Sequence, residues 1–211
     1  MKIAIFGAGS VGGTLGSSWA NKGHEIFFGV PNPNSDKTQA LLNKIGSNAQ
    51  AGTLAEASSF SDVIVLATPW TATESAIKAA GDLRGKTIID CTNPLKPDFS
   101  ELSIGFTTSG GEQVAQWAVG ANVVKTLNQT GSENMGAPVY GTYPSVMFVC
   151  GDDETAKATA LTLVKELGFD AVDGGGLKIA RLLEPLGMLW IGLVYRQGLG
   201  RNIAFALMRR N

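Results

Sequence analysis

The residues whose types and spacing are most suggestive of chemistry lie at the start of the chain. An apolar run, residues 2–6, is followed at once by Gly7, Gly9 and Gly12 at the spacing G-x-G-x-x-G. We expect Gly7 to permit a tight turn, Gly9 to let a pyrophosphate approach the backbone, and Gly12 to let helix and strand pack closely. The spacing therefore predicts a dinucleotide-binding turn between a strand and a helix.

The helix after these glycines would complete the phosphate site. Ala8, Ser10 and Val11 fill the positions between the glycines, and the free N–H groups at the start of the helix would point at the phosphates. Val11, Leu15 and Trp19 share one face of that helix, as the spacing i, i+4, i+8 indicates. A structural glycine turn is the alternative in a chain with 27 glycines, but the flanking strand and helix favour a nucleotide.

The tip of the second predicted strand, residues 26–29, is where such folds read the adenosine ribose. The segment that follows, residues 29–37, has no carboxylate at the strand tip, which argues against the usual grip on NAD. Asn32, Ser35 and Lys37 can form a pocket for the 2′-phosphate of NADP, although no Arg is present to bind it bidentately. The sequence therefore favours NADP(H), with ordinary turn residues as the alternative.

Further candidate site residues follow two later strands. The fourth predicted strand ends in Thr68, Pro69 and Trp70, and the fifth leads to Asn93. Because ligands bind at the carboxyl ends of parallel strands, we predict that these four residues line the cofactor site. Trp70 would wall the nicotinamide pocket, and Asn93 would hydrogen-bond a ribose or a carboxamide. Core packing of Trp70 and a local turn at Asn93 are the alternatives.

The polar loop after the sixth predicted strand, residues 128–135, is the candidate for lining the acceptor site. The sequence offers no convincing acid–base dyad, and we expect a structural role for the single histidine, His24. We therefore predict hydride transfer between C4 of a nicotinamide and an acceptor, which requires no nucleophile from the protein. Lys125, Asn128 and Ser109 are the candidates for a proton donor if the acceptor needs one.

The elements that must position these residues alternate as β-α-β-α-β along the first half of the chain. This pattern predicts an α/β fold with a Rossmann-type, doubly wound, mostly parallel sheet. Capping boxes are predicted at Thr53 with Glu56, Thr71 with Glu74 and Ser109 with Glu112. We divide the chain into a dinucleotide-binding domain, residues 1–176, and a C-terminal helical segment, residues 177–211.

The C-terminal segment continues a helical pattern over residues 177–194. Its apolar stretch, residues 182–195, falls short of the ~20 residues of a membrane-spanning helix. Gly187 and Gly192 would permit close helix approach. We expect this helix to complete the acceptor cleft or to form the seam of a homodimer, with intrachain core as the alternative. The basic end, residues 201–210, would form the last turns of a helix.

Composition disfavours several classes of partner. The chain has 17 Lys and Arg against 18 Asp and Glu, so no basic field exists for nucleic acid or an anionic membrane. Cys91 and Cys150 each end an apolar run, which favours reduced, buried thiols over a disulfide or a metal site. Met1 and Lys2 lead directly into the first strand, so we expect a cytoplasmic protein with a small-molecule partner.

Several motifs together carry a family resemblance. They are the glycine stretch and residues 68–70, 93–94, 123–125, 150–153 and 180–186. With these motifs the chain resembles the NADPH-dependent F₄₂₀ reductases, also called F₄₂₀H₂:NADP oxidoreductases. This family is related to the pyrroline-5-carboxylate reductases and to the reductase domain of the STEAP ferric reductases. The likeness covers nearly the whole chain.

The resemblance implies a Rossmann domain with a small C-terminal helical part and NADP(H) over the glycine turn. It also implies a deazaflavin (coenzyme F₄₂₀) or flavin (FMN or FAD) ring stacked against the nicotinamide. The family commonly has an Arg just after the second strand for the 2′-phosphate, and Pro31 occupies that position here, with Lys37 still present. Two alternatives stay open: a reductase of a small ketone or imine, and a non-catalytic dinucleotide sensor.

Overall fold

A computed structural model describes residues 1–210 of the chain, in which strands and helices alternate from the first strand onward. The strands are β1 (Lys2–Phe6), β2 (Glu25–Gly29), β3 (Ala49–Gly52), β4 (Val63–Leu66), β5 (Thr87–Asp90), β6 (Asn122–Lys125), β7 (Val139–Tyr140), β8 (Tyr143–Pro144), β9 (Val146–Gly151) and β10 (Asp170–Gly175). The helices are α1 (Ser10–Ala20), α2 (Asp36–Ile45), α3 (Leu54–Phe60), α4 (Trp70–Ala79), α5 (Gly110–Trp117), α6 (Ser132–Met135), α7 (Glu154–Leu167) and α8 (Ala180–Tyr195), with a 3₁₀ turn at Leu177–Ile179.

The main sheet has the strand order β10-β9-β6-β5-β4-β1-β2-β3. Strands β1 to β6 pair in parallel, β9 runs antiparallel to β6, and β10 runs parallel to β9. The chain order reverses between β1 and β4, which creates the crevice where doubly wound sheets bind ligands. The predicted Rossmann-type, mostly parallel sheet is confirmed.

Hydrophobic cores cover both faces of the sheet because its central strands are apolar at nearly every position. In β1, Ile3 and Ile5 join one core, which helices α1 and α7 cover. Ala4 and Phe6 point to the opposite face and join a second core under α3, α4 and α5. With both faces covered, the edge formed by the carboxyl ends of the parallel strands is the open side of the sheet.

Of the three predicted capping boxes, one is complete and a second is present in its N-cap half. Thr53 and Glu56 form the predicted capping box: the backbone N–H of Thr53 donates to the Glu56 carboxylate (2.7 Å), and that of Glu56 donates to the Thr53 hydroxyl (3.2 Å). Ser109 caps α5 by accepting from the backbone N–H of Glu112 (3.1 Å). These caps were predictable because their partners are three residues apart.

The predicted capping box at Thr71 and Glu74 is wrong. Helix α4 begins at Trp70, two residues earlier than this box requires, and Pro69 occupies its N-cap position with φ −57°. Thr71 therefore lies inside the first turn, and Glu74 pairs with Lys78 one turn further on (2.6 Å). The proline ring fixes φ at a value suited to the start of a helix.

The prediction that residues 201–210 form the last turns of a helix is also wrong. Helix α8 ends at Tyr195, and the following residues to 210 have no regular secondary structure. Gly198 and Gly200 adopt positive φ values of 68° and 75°, a conformation that a helix does not continue through. The short helix α6 arises within the predicted polar loop, residues 128–135, and the hairpin of β7 and β8 follows in a stretch for which the sequence predicted no element.

None of the helices within residues 1–210 is both long enough and apolar enough to cross a membrane. Over the same part of the chain, the structure brings together no group of three or more His, Cys, Asp or Glu side chains that could hold a metal ion.

Candidate dinucleotide and acceptor clefts

The glycine turn between β1 and α1 has the geometry that its spacing predicts. Gly7 adopts φ 109°, and a Cβ there would lie 2.7 Å from the carbonyl oxygen of Ala67 at the end of β4. A Cβ on Gly12 would lie 2.0 Å from the Gly7 carbonyl oxygen. A Cβ on Gly9 would meet no protein atom within 4 Å. The turn thus requires Gly7 and Gly12, while Gly9 faces the open space that a pyrophosphate would fill.

The start of α1 is available to an anion. Gly9 is its N-cap residue and provides no side-chain cap, and the first turn contains no acidic residue. The first N–H groups of a helix have no partner within the helix, and the helix dipole favours negative charge there. Ala8 and Val11 are half-buried and Ser10 is exposed around this turn. The residues present therefore fit the pyrophosphate of a dinucleotide.

Two clefts adjoin the turn at the carboxyl edge of the sheet. The smaller cleft, of about 390 Å³, lies over the ends of β4 and β5 and is lined in part by Thr68 and Pro69. Trp70 also lines it and packs against Trp117, with ring centroids 5.2 Å apart. Trp70 therefore packs against another aromatic ring and also borders the cleft, and its role as a wall of the nicotinamide pocket stays a prediction.

The larger cleft, of about 820 Å³, extends from the same edge toward α8. Trp190, Ile191 and Tyr195 of that helix form one wall, and the loop after β6 forms another. Four residues line both clefts: Val11, Asn93, Leu95 and Phe99. The two clefts therefore meet above the end of β5.

Phe99 is a site residue that sequence reasoning missed. It is 64% exposed, adopts φ 56°, and lies on a loop closed by a bridge between Leu95 and Leu102. For α8, the sequence predicted a helix that completes the acceptor cleft but not which of its side chains face it. A loop aromatic gives no periodic signal that would identify it as a ligand contact.

The residues predicted to bind a 2′-phosphate are only partly brought together. Lys37 borders a groove of about 380 Å³ between α1 and α2, together with Gly9, Ser10 and Lys44. The hydroxyl of Ser35 serves as the N-cap of α2, and Asn32 is exposed on the preceding turn. Of the three, Lys37 is the residue that the structure brings next to the glycine turn.

The structure does not bring Lys125 to either cleft. Its side chain has no solvent exposure, and its ammonium donates to Asp90 (2.9 Å) and to the Thr92 carbonyl (2.6 Å) and lies 3.0 Å from Glu184. Burial alone would lower the pKa of Lys125, but the attraction of the two carboxylates outweighs burial and raises the pKa above its ordinary value. Lys125 is therefore held as a cation in the interior.

Glu184 extends this buried charge cluster to α5. Its two carboxylate oxygens accept from the backbone N–H groups of Gly110 and Gly111, each at 2.9 Å. Ser109, the cap of α5, is fully buried, and its hydroxyl donates to Glu112 (2.7 Å). Ser109 is thus committed to capping, and the cluster fastens α8 to the sheet through the start of α5.

Asn93 and Asn128 form an amide pair at the meeting point of the clefts. The Asn93 amide donates to the Asn128 backbone carbonyl (2.7 Å), and the Asn128 amide donates to Asn93 Oδ1 (2.9 Å). The two residues are 35 positions apart in the sequence, so no local pattern revealed their contact. They follow β5 and β6, which are neighbours in the sheet.

His24 lies at the opposite, amino-terminal edge of the sheet. Its Nε2 is 2.8 Å from Glu166 and its Nδ1 is 3.3 Å from the amino terminus. The position before β2 is remote from both clefts, which agrees with the expected structural role.

The two cysteines are free and buried, as predicted. Burial raises the pKa of the Cys91 thiol well above its ordinary value and that of Cys150 to about 12. Both thiols therefore stay protonated at neutral pH and are poor nucleophiles.

A glycine turn at the switch point of a doubly wound sheet, next to two joined clefts, defines a dinucleotide-binding protein of the Rossmann class.

Comparisons with known proteins agree with this class. Residues 2–94 match the sequence model of the family described as NADP oxidoreductase, coenzyme F₄₂₀-dependent. A solved structure from Arthrobacter sp. FB24, provisionally named an F₄₂₀-dependent NADP-reductase, is 33% identical with a TM-score of 0.90 and covers 99% of this chain and 100% of that one.

Two curated relatives are more distant. The F₄₂₀-dependent NADP reductase of Methanocaldococcus jannaschii is 28% identical over 92% of each chain. Metalloreductase STEAP3 of Rattus norvegicus is 28% identical over 89% of this chain, which spans 37% of the length of that protein. The chain belongs to the family of coenzyme F₄₂₀-dependent NADP oxidoreductases. The family resemblance and the expectation of an NADP-dependent oxidoreductase are confirmed.

Proposed function

We propose that this protein positions NADP(H) across the glycine turn and a deazaflavin or flavin in the larger cleft, so that a hydride passes between them. The observation that carries the proposal is the meeting of the two clefts at Val11, Asn93, Leu95 and Phe99. A nicotinamide in the smaller cleft and a ring in the larger one would come into contact there. Such positioning is the main contribution that a protein makes to hydride transfer between two organic rings.

The cofactor half of the proposal rests on the turn and on Lys37. The free N–H groups of α1 would bind the pyrophosphate, and Lys37, which borders the adjacent groove, would bind the 2′-phosphate. We expect Lys37→Ala to weaken NADPH binding about tenfold, the loss of one charge-assisted hydrogen bond, and to leave NADH binding unchanged. Titrating the tryptophan fluorescence with each cofactor measures the Kd for NADPH and the Kd for NADH. Lys78→Ala, which removes a lysine on α4, is the control. Equal losses for NADPH and NADH would contradict the assignment.

The acceptor half rests on the walls of the larger cleft. Phe99, Trp190 and Tyr195 present aromatic surface, and Leu95 and Ile191 add apolar surface. A planar ring system packs favourably against such walls. Relatives that are named F₄₂₀-dependent NADP reductases support coenzyme F₄₂₀ as the first acceptor to test.

We further propose that residues 177–211 act as a segment that completes the acceptor cleft. The outer face of α8 is a proposed homodimer seam, since Leu182 is 65% exposed, Leu189 is 53% exposed, and a Cβ on Gly192 would meet no protein atom. The cytoplasm, with its reduced thiols and small-molecule acceptors, is the proposed compartment.

The direct test mixes the purified protein with NADPH and, in separate assays, coenzyme F₄₂₀, FMN or FAD. Loss of NADPH absorbance with one of these acceptors is the expected result. NADPH binding without turnover with any flavin or deazaflavin would contradict the proposal and favour the dinucleotide sensor.

A reductase of a small ketone or imine is less well supported. Such a reaction needs a proton donor in the cleft. Among the three candidates, Lys125 and Ser109 are enclosed in the interior, and Asn128 is an amide that does not ionise. Assays with small cyclic imines and ketones in place of flavins would reveal this activity directly.

A further inference from the structure

We infer that Asn128 is a positioning residue that acts on bound ligands through Asn93. The inference deepens the proposed function, on which it rests, because it assigns separate roles to the two members of the amide pair. Asn93 would contact a carboxamide or hydroxyl group at the meeting point of the clefts, and Asn128 would fix the orientation of the Asn93 amide.

The hydrogen bonds of Asn128 show why it cannot itself serve a ligand well. Its amide nitrogen donates to Asn93 Oδ1 (2.9 Å) and to the Leu183 carbonyl (3.0 Å), which uses both of its hydrogens. Its side-chain oxygen accepts from Gln129 Nε2 (3.0 Å). The residue is 4% exposed, and with both amide hydrogens used it has no side-chain N–H to offer a ligand and keeps one lone pair on its oxygen.

The side chain of Asn93 has an unused hydrogen-bond donor and an unused acceptor. Its amide nitrogen uses one hydrogen on the Asn128 carbonyl (2.7 Å), and its oxygen accepts one bond from the Asn128 amide. One N–H and one lone pair remain, and the residue lines both clefts. A ligand group that both donates and accepts hydrogen bonds, such as a carboxamide or a hydroxyl, could bind to this free N–H and this free lone pair.

The pair is held from two sides. On β5, Asp90 accepts from the backbone N–H (2.9 Å) and hydroxyl (2.7 Å) of Thr92, the residue before Asn93. On α8, a Cβ at Gly187 would lie 2.6 Å from the Asn128 carbonyl oxygen and 3.2 Å from the Asn93 amide. Gly187 therefore lets α8 approach the pair closely, and the amide of Asn93 has little freedom to turn.

A double-mutant cycle tests the inference. We expect Asn93→Ala to weaken NADPH binding or raise the acceptor KM about 3- to 10-fold, the value of one hydrogen bond. Asn128→Ala should produce a similar or smaller loss in the wild type and no further loss in the Asn93→Ala background. Full non-additivity means that Asn128 acts through Asn93. Additive losses would overturn the inference.

Two measurements keep the outcomes distinct. Tryptophan fluorescence gives the Kd for NADPH and steady-state kinetics gives kcat and KM, while melting temperatures check folding. If Asn128→Ala does not fold, Asn128→Ser, which keeps one donor, replaces it in the cycle. Wild-type protein that binds no NADPH would overturn the proposed function as well. Wild-type binding and turnover with an unchanged Asn93→Ala variant would overturn this inference alone.

Discussion

Lys125 carries its charge where water has no access, between the carboxylates of Asp90 and Glu184. The sequence made it one of three candidate proton donors, yet its neighbours keep it protonated and enclosed. The chemistry of a lysine is decided by what surrounds its ammonium, and here those groups lie on β5 and α8 rather than nearby in the sequence. At the residue scale, the role of Lys125 is structural: it links β5 and α8 through its two carboxylate partners.

Replacing Lys125 by Met should therefore destabilise the fold severely. The change leaves two buried carboxylates without a counter-ion, which costs about 3–5 kcal/mol in comparable buried pairs. Urea unfolding measures the loss. Lys78→Met, which removes a lysine from the exposed pair with Glu74, is the control and should unfold close to the wild type. Equal midpoints for the two variants would contradict the structural role.

Gly9, unlike Lys125, can be replaced without an effect on the fold. Its φ of −76° is open to any residue, and a Cβ there meets no protein atom. Gly9→Val should therefore melt like the wild type but bind NADPH at least about tenfold more weakly, because the side chain enters the pyrophosphate space. Fluorescence titration measures binding, with Gly192→Ala on α8 as the control. Unchanged binding by Gly9→Val would contradict the placement of the dinucleotide.

At the scale of elements, α5 and α8 are joined near the surface by Arg181 and Glu112. The guanidinium donates to both carboxylate oxygens (2.6 and 2.9 Å), and this contact, helped by Ser109, lowers the pKa of Glu112 against the effect of burial. A carboxylate whose pKa is lowered by folding stabilises the protein above its unfolded pKa, about 4.3, and loses that effect as the pH falls through the lower folded value.

The pair therefore predicts an acid-dependent stability difference. Glu112→Gln should unfold at lower urea than the wild type near pH 7, and the gap should close as the pH falls below about 4. Because both side chains are about one-quarter exposed, solvent keeps the gap modest. Comparing the two proteins at each pH cancels the titration of other acids. A gap that persists unchanged at pH 3 would contradict the ionic origin.

The elements also show what the sequence could and could not reveal. The strands, the glycine turn and the caps at Thr53 and Ser109 were predictable because each depends on residues within a few positions of one another. The Asn93–Asn128 pair and the Lys125 cluster were not, since their members meet only when β5, β6 and α8 assemble. The candidate cofactor residues and the two segments beside the acceptor cleft could therefore be named from the sequence, but the individual side chains that form the acceptor walls could not.

At the scale of the whole molecule, the segment after α8 connects the larger cleft to the far edge of the sheet. The Ile203 carbonyl accepts from the indole N–H of Trp190 (2.7 Å), and the Phe205 carbonyl accepts from the backbone N–H of Val146 at the start of β9 (2.9 Å). Arg201 lines the larger cleft and pairs with Glu133 of α6. This segment thus supports the acceptor wall. Within residues 1–210, none of its hydrogen bonds reaches the glycine turn.

Removing the residues after Leu199 should therefore weaken acceptor binding without weakening NADPH binding. The cleft would lose Arg201, and Trp190 would lose the partner of its buried N–H, so the acceptor KM should rise several-fold while the Kd for NADPH changes little. A shorter truncation after Met208 removes Arg209, whose pair with Asp170 lies at the surface, and should leave both constants near the wild type. Equal losses of NADPH binding and acceptor affinity in the longer truncation would mean that the segment supports the sheet as a whole. A selective rise in the acceptor KM would place acceptor recognition on α8 and the segment that follows it.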